Sequence, residues 1–195
     1  MSPIRSVAAF VTAATAVVPG TFCAEQGRLT LQLPFAAGKK SAPLLEASVR
    51  SELLRVTGSH VAIRGIRFRF AANRAQQAMA VFSGAHGVIE DCVFERANGV
   101  GASFRAEGIQ VRRCGFLDNG QLGFSANRAH RLLVSGCVVR GNNTKNFDRG
   151  WEAGGNKLVF CRDAVLERSR FLRNRGNGVW FDIGNEAGTV RHCLF

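Results

Sequence analysis

From Leu54 onward the chain repeats a short phrase in which apolar and polar residues alternate before Asn and Gly close it. The clearest copy runs Gly108-Ile109-Gln110-Val111-Arg112-Arg113-Cys114-Gly115-Phe116-Leu117-Asp118-Asn119-Gly120-Gln121-Leu122-Gly123-Phe124. Val-Ile-Glu-Asp-Cys-Val-Phe from Val88 and Val-Leu-Glu-Arg-Ser-Arg-Phe from Val165 are further copies. Registered on the cysteine, the copies fall at Ile66, Cys92, Cys114, Cys137, Ser169 and Cys193, with steps of 26, 22, 23, 32 and 24 residues. Three positions earlier stand Ile63, Ile89, Val111, Val134, Leu166 and Val190; two positions later stand Phe68, Phe94, Phe116, Val139, Phe171 and Phe195.

A period-2 alternation punctuated by Gly and Asn reads as short strands, and no amphipathic helical run of useful length separates them. One copy is too small to bury its own apolar side, so the copies must stack. The expected architecture is all-β: a parallel β-helix of about six coils over 54–195, the last incomplete. A solenoid that stops in mid-coil with no cap predicts a piece of a longer protein. Asn98, Asn119, Asn142 and Asn174 follow the Phe column and are expected to pass amide hydrogen bonds from coil to coil. Gly101, Gly123 and Gly178 recur just before the next strand, where a tight turn is expected to need positive φ.

The segment Asn142 to Gly155, with Asn177-Gly178-Val179-Trp180-Phe181-Asp182, resembles the right-handed parallel β-helix repeats of the pectate-lyase-like superfamily, bacterial secreted members in particular. The resemblance covers about Leu54 to Phe195 and implies that fold. It leaves activity open, because the superfamily hosts lyases, hydrolases, epimerases and non-catalytic adhesins. The Asp-Pro-His-Asp motif expected of alginate C5-epimerases is absent.

Upstream of the repeats, Arg5, an apolar run from Val7 to Val18 and Pro19-Gly20 have the layout of a secretory signal peptide over 1–24. The run is short for a membrane span. An exported protein, extracellular or periplasmic, is expected. Residues 25–53 read as an N-terminal cap or lead-in, with Leu29, Leu31 and Leu33 alternating as a strand does.

The six cysteines, at 23, 92, 114, 137, 161 and 193, show no Cys-x-x-Cys spacing, and four of them share one column. That placement predicts a stack of reduced, buried thiols rather than disulfides or zinc ligands. Lys and Arg outnumber Asp and Glu by 26 to 14, a formal charge of +12, and only Lys39, Lys40, Lys145 and Lys157 are lysines. The excess suits a solvated Arg-rich surface or a polyanionic partner. Without a basic helix, zinc spacing or an aromatic RNA-binding motif, acidic polysaccharide is the better-matched polyanion and nucleic acid the remote one.

The 32-residue step implies about eight inserted residues, which a solenoid places in surface loops. Aligning Gly101, Gly123, Gly150 and Gly178 puts Ser103, Ser125, Glu152 and Trp180 in one outward column, and Arg105, Asn127, Gly154 and Asp182 in the next. Trp151 then faces inward. Glu152 and Asp182 would lie about 8 Å apart at Cα, a spacing from which two carboxylates serve as acid and base or nucleophile on a glycoside. Asp148 and Glu186 are reserve carboxylates at the loop edges. Trp180 is expected to stack on a sugar ring, and Arg149 or Lys157 to hold a uronate carboxylate. No residue is assigned to a metal; a lyase would recruit Ca²⁺ through oxygen ligands. The competing reading makes Asp148 with Arg149, or Glu152 with Lys157, ordinary surface ion pairs. The expected function is a secreted, monomeric, carbohydrate-active protein that binds an acidic polysaccharide and cleaves it by β-elimination or hydrolysis; the rival is a non-catalytic cell-surface or adhesion solenoid.

Overall fold

The computed structural model describes residues 22–26, 28–31 and 48–195. The chain divides into two units, Met1–Glu46 and Ala47–Phe195. In the first, β1 (Phe22–Glu25) and β2 (Arg28–Leu31) form an antiparallel hairpin in which Ala24 pairs with Leu29. Most of the expected signal peptide lies outside the described residues, as does much of the expected lead-in, and the boundary expected after Ala24 falls inside β1. Residues 48–53 form no helix.

The second unit is a β-solenoid in which three strands make each coil. The first coil contains β3 (Leu54–Val56), β4 (Ala62–Arg64) and β5 (Arg67–Arg69); the second β6 (Ala78–Phe82), β7 (Val88–Glu90) and β8 (Val93–Glu95). The third contains β9 (Val100–Phe104), β10 (Gln110–Arg112) and β11 (Gly115–Leu117); the fourth β12 (Leu122–Asn127), β13 (Leu133–Ser135) and β14 (Val138–Arg140). After a one-turn helix, α1 (Arg149–Glu152), the fifth contains β15 (Gly154–Val159), β16 (Val165–Glu167) and β17 (Arg170–Leu172). A thinner sixth coil pairs through single bridges at Asn177, Phe181, Glu186 and Leu194 and through β18 (Thr189–Arg191). Equivalent strands stack into three parallel sheets, β3-β6-β9-β12-β15, β4-β7-β10-β13-β16-β18 and β5-β8-β11-β14-β17. Among the described residues no helix is long and apolar enough to cross a membrane.

The sequence columns are columns in space. Ile63 pairs with Ile89, Ile89 with Val111, Val111 with Val134, Val134 with Leu166 and Leu166 with Val190. The aromatic column stacks ring on ring, with centroids 5.2 Å apart for Phe68–Phe94 and for Phe94–Phe116, and 5.4 Å for Phe171–Phe195. Cys92, Cys114 and Cys137 are buried and all five described cysteines are free. Burial pushes the Cys92 and Cys161 thiols up, keeping them protonated. Ile66, placed in the same column, is 44 % exposed instead, because among the described residues the first coil has a neighbour on one side only.

The asparagine ladder needs one correction. Asn119 N–H and Nδ2 both donate to Asn142 Oδ1 (3.0 and 2.9 Å), and the same atoms of Asn142 donate to Asn174 Oδ1 (3.0 and 2.9 Å). The fourth member is Ala97, whose N–H donates to Asn119 Oδ1 at 3.0 Å; Asn98 lies one position late and donates to Asn73 O instead. The glycines beside the ladder do not need positive φ. They need room: a Cβ on Gly123 would sit 2.7 Å from Gly155 O and 3.0 Å from Asn142 Nδ2. Apart from glycines such as Gly65 and Gly136, the positive-φ corners are held mostly by Arg, Asp and His, such as Arg113 (φ 49°) and Asp163 (φ 54°).

On the outer face of the β4–β18 sheet one column runs Arg64, Glu90, Arg112, Ser135, Glu167 and Arg191, so that each glutamate has an arginine on a neighbouring coil. Glu90 is bonded by Arg64 (3.0 Å) and Arg113 (2.7 Å), and Glu167 by Arg191 (2.7 Å) and by the Ser135 hydroxyl (3.1 Å). These donors hold both carboxyls below the usual carboxylate range.

Two predictions follow from the stack. Asn142→Ala removes an amide that serves two coils and should cost about 3 kcal/mol in urea unfolding, whereas Asn98→Ala should cost about 1 kcal/mol or less; equal losses would contradict the corrected ladder. Because the Glu167 carboxyl is depressed, its contribution is full above the ordinary glutamate value of about 4.3 and is lost as pH falls through the lowered folded value. Glu167→Gln should therefore lower the melting temperature at pH 7 and converge with the parent protein once the pH has fallen through that lowered value.

Candidate functional site

The outer face of the β3–β15 sheet carries a groove of about 560 Å³, lined among others by Ser103, Ser125, Arg105, Arg128, Lys157 and Glu152. Its floor follows directly from register. Ser103 pairs with Ser125, Ser125 with Lys157, and the Leu158–Phe181 bridge sets Trp180 beside Lys157. The fourth to fifth coil step must therefore be read Gly101, Gly123, Gly155, Gly178, not through Gly150. The sequence alignment was five residues short at that one coil, and its corrected columns are Ser103, Ser125, Lys157, Trp180 and Arg105, Asn127, Val159, Asp182.

Glu152 accordingly does not stand on a strand. It ends α1, inside the loop 141–153 that replaces the four-residue corner 118–121 of the previous coil. A second long corner, Phe70–Gln77, leaves the first coil. The two corners meet over the short ones between them. Gln76 N–H donates to Gln121 Oε1 (2.6 Å), Gln121 Nε2 to Glu152 O (2.8 Å), and Gln76 Nε2 to Glu152 Oε2 (2.9 Å). This bridge flanks an apolar cluster on the outside of the sheet, Ala78, Val81, Val100 and Leu122, all at 4 % exposure or less. It also sets Glu152 at the groove wall.

Lys157 and Asp182 form an ion pair at 2.9 Å, with the lysine side chain only 15 % exposed. The ammonium also donates to Trp151 O (3.4 Å) and lies 4.6 Å from the centroid of the Trp180 ring. Beneath them Asn156 points inward; its Oδ1 accepts from Trp180 N–H at 3.0 Å. Arg105 Nε donates to the Ser103 hydroxyl (3.0 Å), and Ser125 Oγ to Ser103 Oγ (3.1 Å). Arg128 donates to Asn127 Oδ1 (3.1 Å) and lies over Phe160 at 4.9 Å. Among the described residues, Arg105 and Arg128 pair with no carboxylate, in contrast to Arg64, Arg113 and Arg191 of the β4–β18 face.

The expected site residues are thus partly assembled. Lys157, Trp180 and Asp182 meet; Glu152 shares the groove with Lys157 but is bonded to Gln76. Asp148 caps α1 by accepting from Gly150 N–H (2.7 Å), and Arg149 is exposed on the same helix, so the surface pairs Asp148–Arg149 and Glu152–Lys157 do not form. Glu186 sits on the exposed corner before β18 and does not line the groove. Trp151 is 48 % exposed rather than inward. No group of three His, Cys, Asp or Glu side chains is placed to hold a metal ion among the described residues. Arg105 was legible from the period as a column member. Arg128 and the Gln76–Gln121–Glu152 bridge carry no local sequence signal.

A family model described as "Right handed beta helix region" matches residues 53–195. No curated protein and no solved structure is matched by the chain.

The bridge makes the loop 141–153 a fixed wall. Gln121→Ala should loosen it, and trypsin, at temperatures well below the melting onset of either protein, should then cut after Lys145 and Arg149 several-fold faster. An unaltered cleavage rate would show that the loop is held by other contacts.

Proposed function

The chain belongs to the right-handed β-helix family, and from that premise we propose that the β3–β15 groove binds an acidic polysaccharide. What supports this reading is one contrast among the described residues: Arg105 and Arg128 line the groove beside hydroxyl, amide and aromatic partners and no carboxylate, while Arg64, Arg113 and Arg191 on the β4–β18 face are matched with Glu90 and Glu167. Unpaired guanidinium forks next to the Ser103 and Ser125 hydroxyls suit a ligand that presents carboxylates and hydroxyls along its length. A polymer laid across successive strands meets a fresh set of donors about every 4.8 Å, close to the span of one sugar residue. Export, as the N-terminal residues suggest, would bring the groove to such polymers.

Cleavage would engage Glu152 at the wall and Asp182 beside Lys157, by hydrolysis or by β-elimination. Asp182 is the carboxylate that holds Lys157 in place, so its loss disturbs binding and chemistry together. Glu152 is the cleaner catalytic candidate, since its bond to neutral Gln76 leaves it available to a glycosidic oxygen.

The test is retention on immobilised polygalacturonate, alginate, a neutral glucan and DNA, with reducing ends and unsaturated-uronate absorbance followed in parallel. The acidic glycans should be retained and released by salt, with Arg105→Ala and Arg128→Ala each weakening binding about tenfold. Cleavage, where present, should vanish in Glu152→Gln. Retention of DNA alone, or of no polymer, would sink the proposal; retention without cleavage in the parent protein would establish a binding solenoid.

A further inference from the structure

We infer that Trp151, on the inserted loop, is a pyranose-stacking platform at the rim of the groove, and that Trp180 on the floor is not. The inference rests on the glycan-binding reading above and names one contact within it. An indole is a large apolar surface, and leaving it half in water is unfavourable unless something covers it. Trp151 is 48 % exposed, yet the loop that presents it is closely tied down. Asn143 Nδ2 donates to Phe147 O (2.9 Å) and Arg175 O (2.7 Å), while Phe147 N–H donates to Asn143 Oδ1 (2.7 Å). Asp148 caps the turn, Gln121 holds Glu152 O, and Ala153 is fully buried. The Phe147 ring lies against the indole, centroids 6.1 Å apart at 45°. A rigid aromatic loses little conformational freedom when a ligand lands on it, which is the advantage of such a residue at a binding surface.

The platform is continuous with the groove. Lys157, on the floor, donates to Trp151 O (3.4 Å), and Glu152, the next residue, lines the wall. A sugar on Trp151 is therefore one step from those seated over Ser125 and Lys157, with exposed Arg149 beside it to meet a carboxylate. Trp180 has the opposite character. Lys157 Nζ covers it at 4.6 Å and is itself pinned by Asp182 at 2.9 Å, so a sugar could displace it only by breaking a cation–π contact and an ion pair. The composition makes the assignment measurable: the chain has two Trp and no Tyr, so its indole emission comes from these two positions alone.

The experiment titrates polygalacturonate into the parent protein, Trp151→Phe and Trp180→Phe, following emission and, independently, affinity by calorimetry. Without ligand, Trp180→Phe should emit further to the red and be quenched more by acrylamide than Trp151→Phe. With ligand, Trp180→Phe should keep the emission change. Trp151→Phe should lose the change, and Trp151→Ala should bind about tenfold more weakly. Binding that persists while the change disappears in Trp180→Phe would overturn this assignment but not the groove. No binding to the parent protein would overturn both. A Trp151 signal raised by phosphatidylglycerol vesicles and not by glycan would make the loop a membrane contact instead. Trp180→Phe unfolding would leave the comparison of Trp151→Ala with the parent protein, which needs no second variant.

Discussion

Everything in the solenoid depends on coils lying in register at one strand spacing. Each backbone N–H and C=O of a strand is satisfied by the coil before or after it, so a coil must place equivalent residues directly over one another. The consequence is that like meets like. Phe stacks on Phe at 5.2 Å, aliphatic residues pair with aliphatic ones, and the Asn119 and Asn142 amides each pass one bond to the next asparagine and spend the other on a backbone carbonyl, as the Asn174 amide also does. The glycine column is set by the same requirement, since a side chain there would strike the carbonyl of the next coil.

Freedom remains at the corners, and there the chain departs from its period. Two corners are long. Because they are separated by short ones, they reach over the intervening coils and join through Gln76, Gln121 and Glu152. That junction shields an apolar cluster that would otherwise face water and raises one wall of the groove. The groove is also lined by Arg105 and Arg128, which pair with no carboxylate among the described residues, whereas on the β4–β18 face Arg64, Arg113 and Arg191 pair with Glu90 and Glu167.

The fold was legible because stacking writes itself into the sequence as period. Ile63, Ile89, Val111, Val134, Leu166 and Val190 were identifiable as one column, and so were the aromatic residues, because a buried position tolerates few residue types and recurs each turn. The same logic located Trp180 and Asp182, which follow Gly178 at the ordinary offset. It failed by one residue at Asn98 and by five at Glu152.

Both failures lie beside corners of irregular length. A glycine in a loop looks like a glycine in a strand, and Gly150 stands where the period alone would accept it. Only the hydrogen bonds between coils distinguish it from Gly155. The sequence by itself determined the coil, its inward residues and the location of the insertion, because those are local and repeated. The tertiary structure alone decided that Lys157 stands beside Ser125, that Glu152 answers to Gln76, and that Trp151 faces water while Lys157 covers Trp180. Those arrangements join residues up to 76 positions apart through single, unrepeated contacts, and a pattern that occurs once has no period to reveal it.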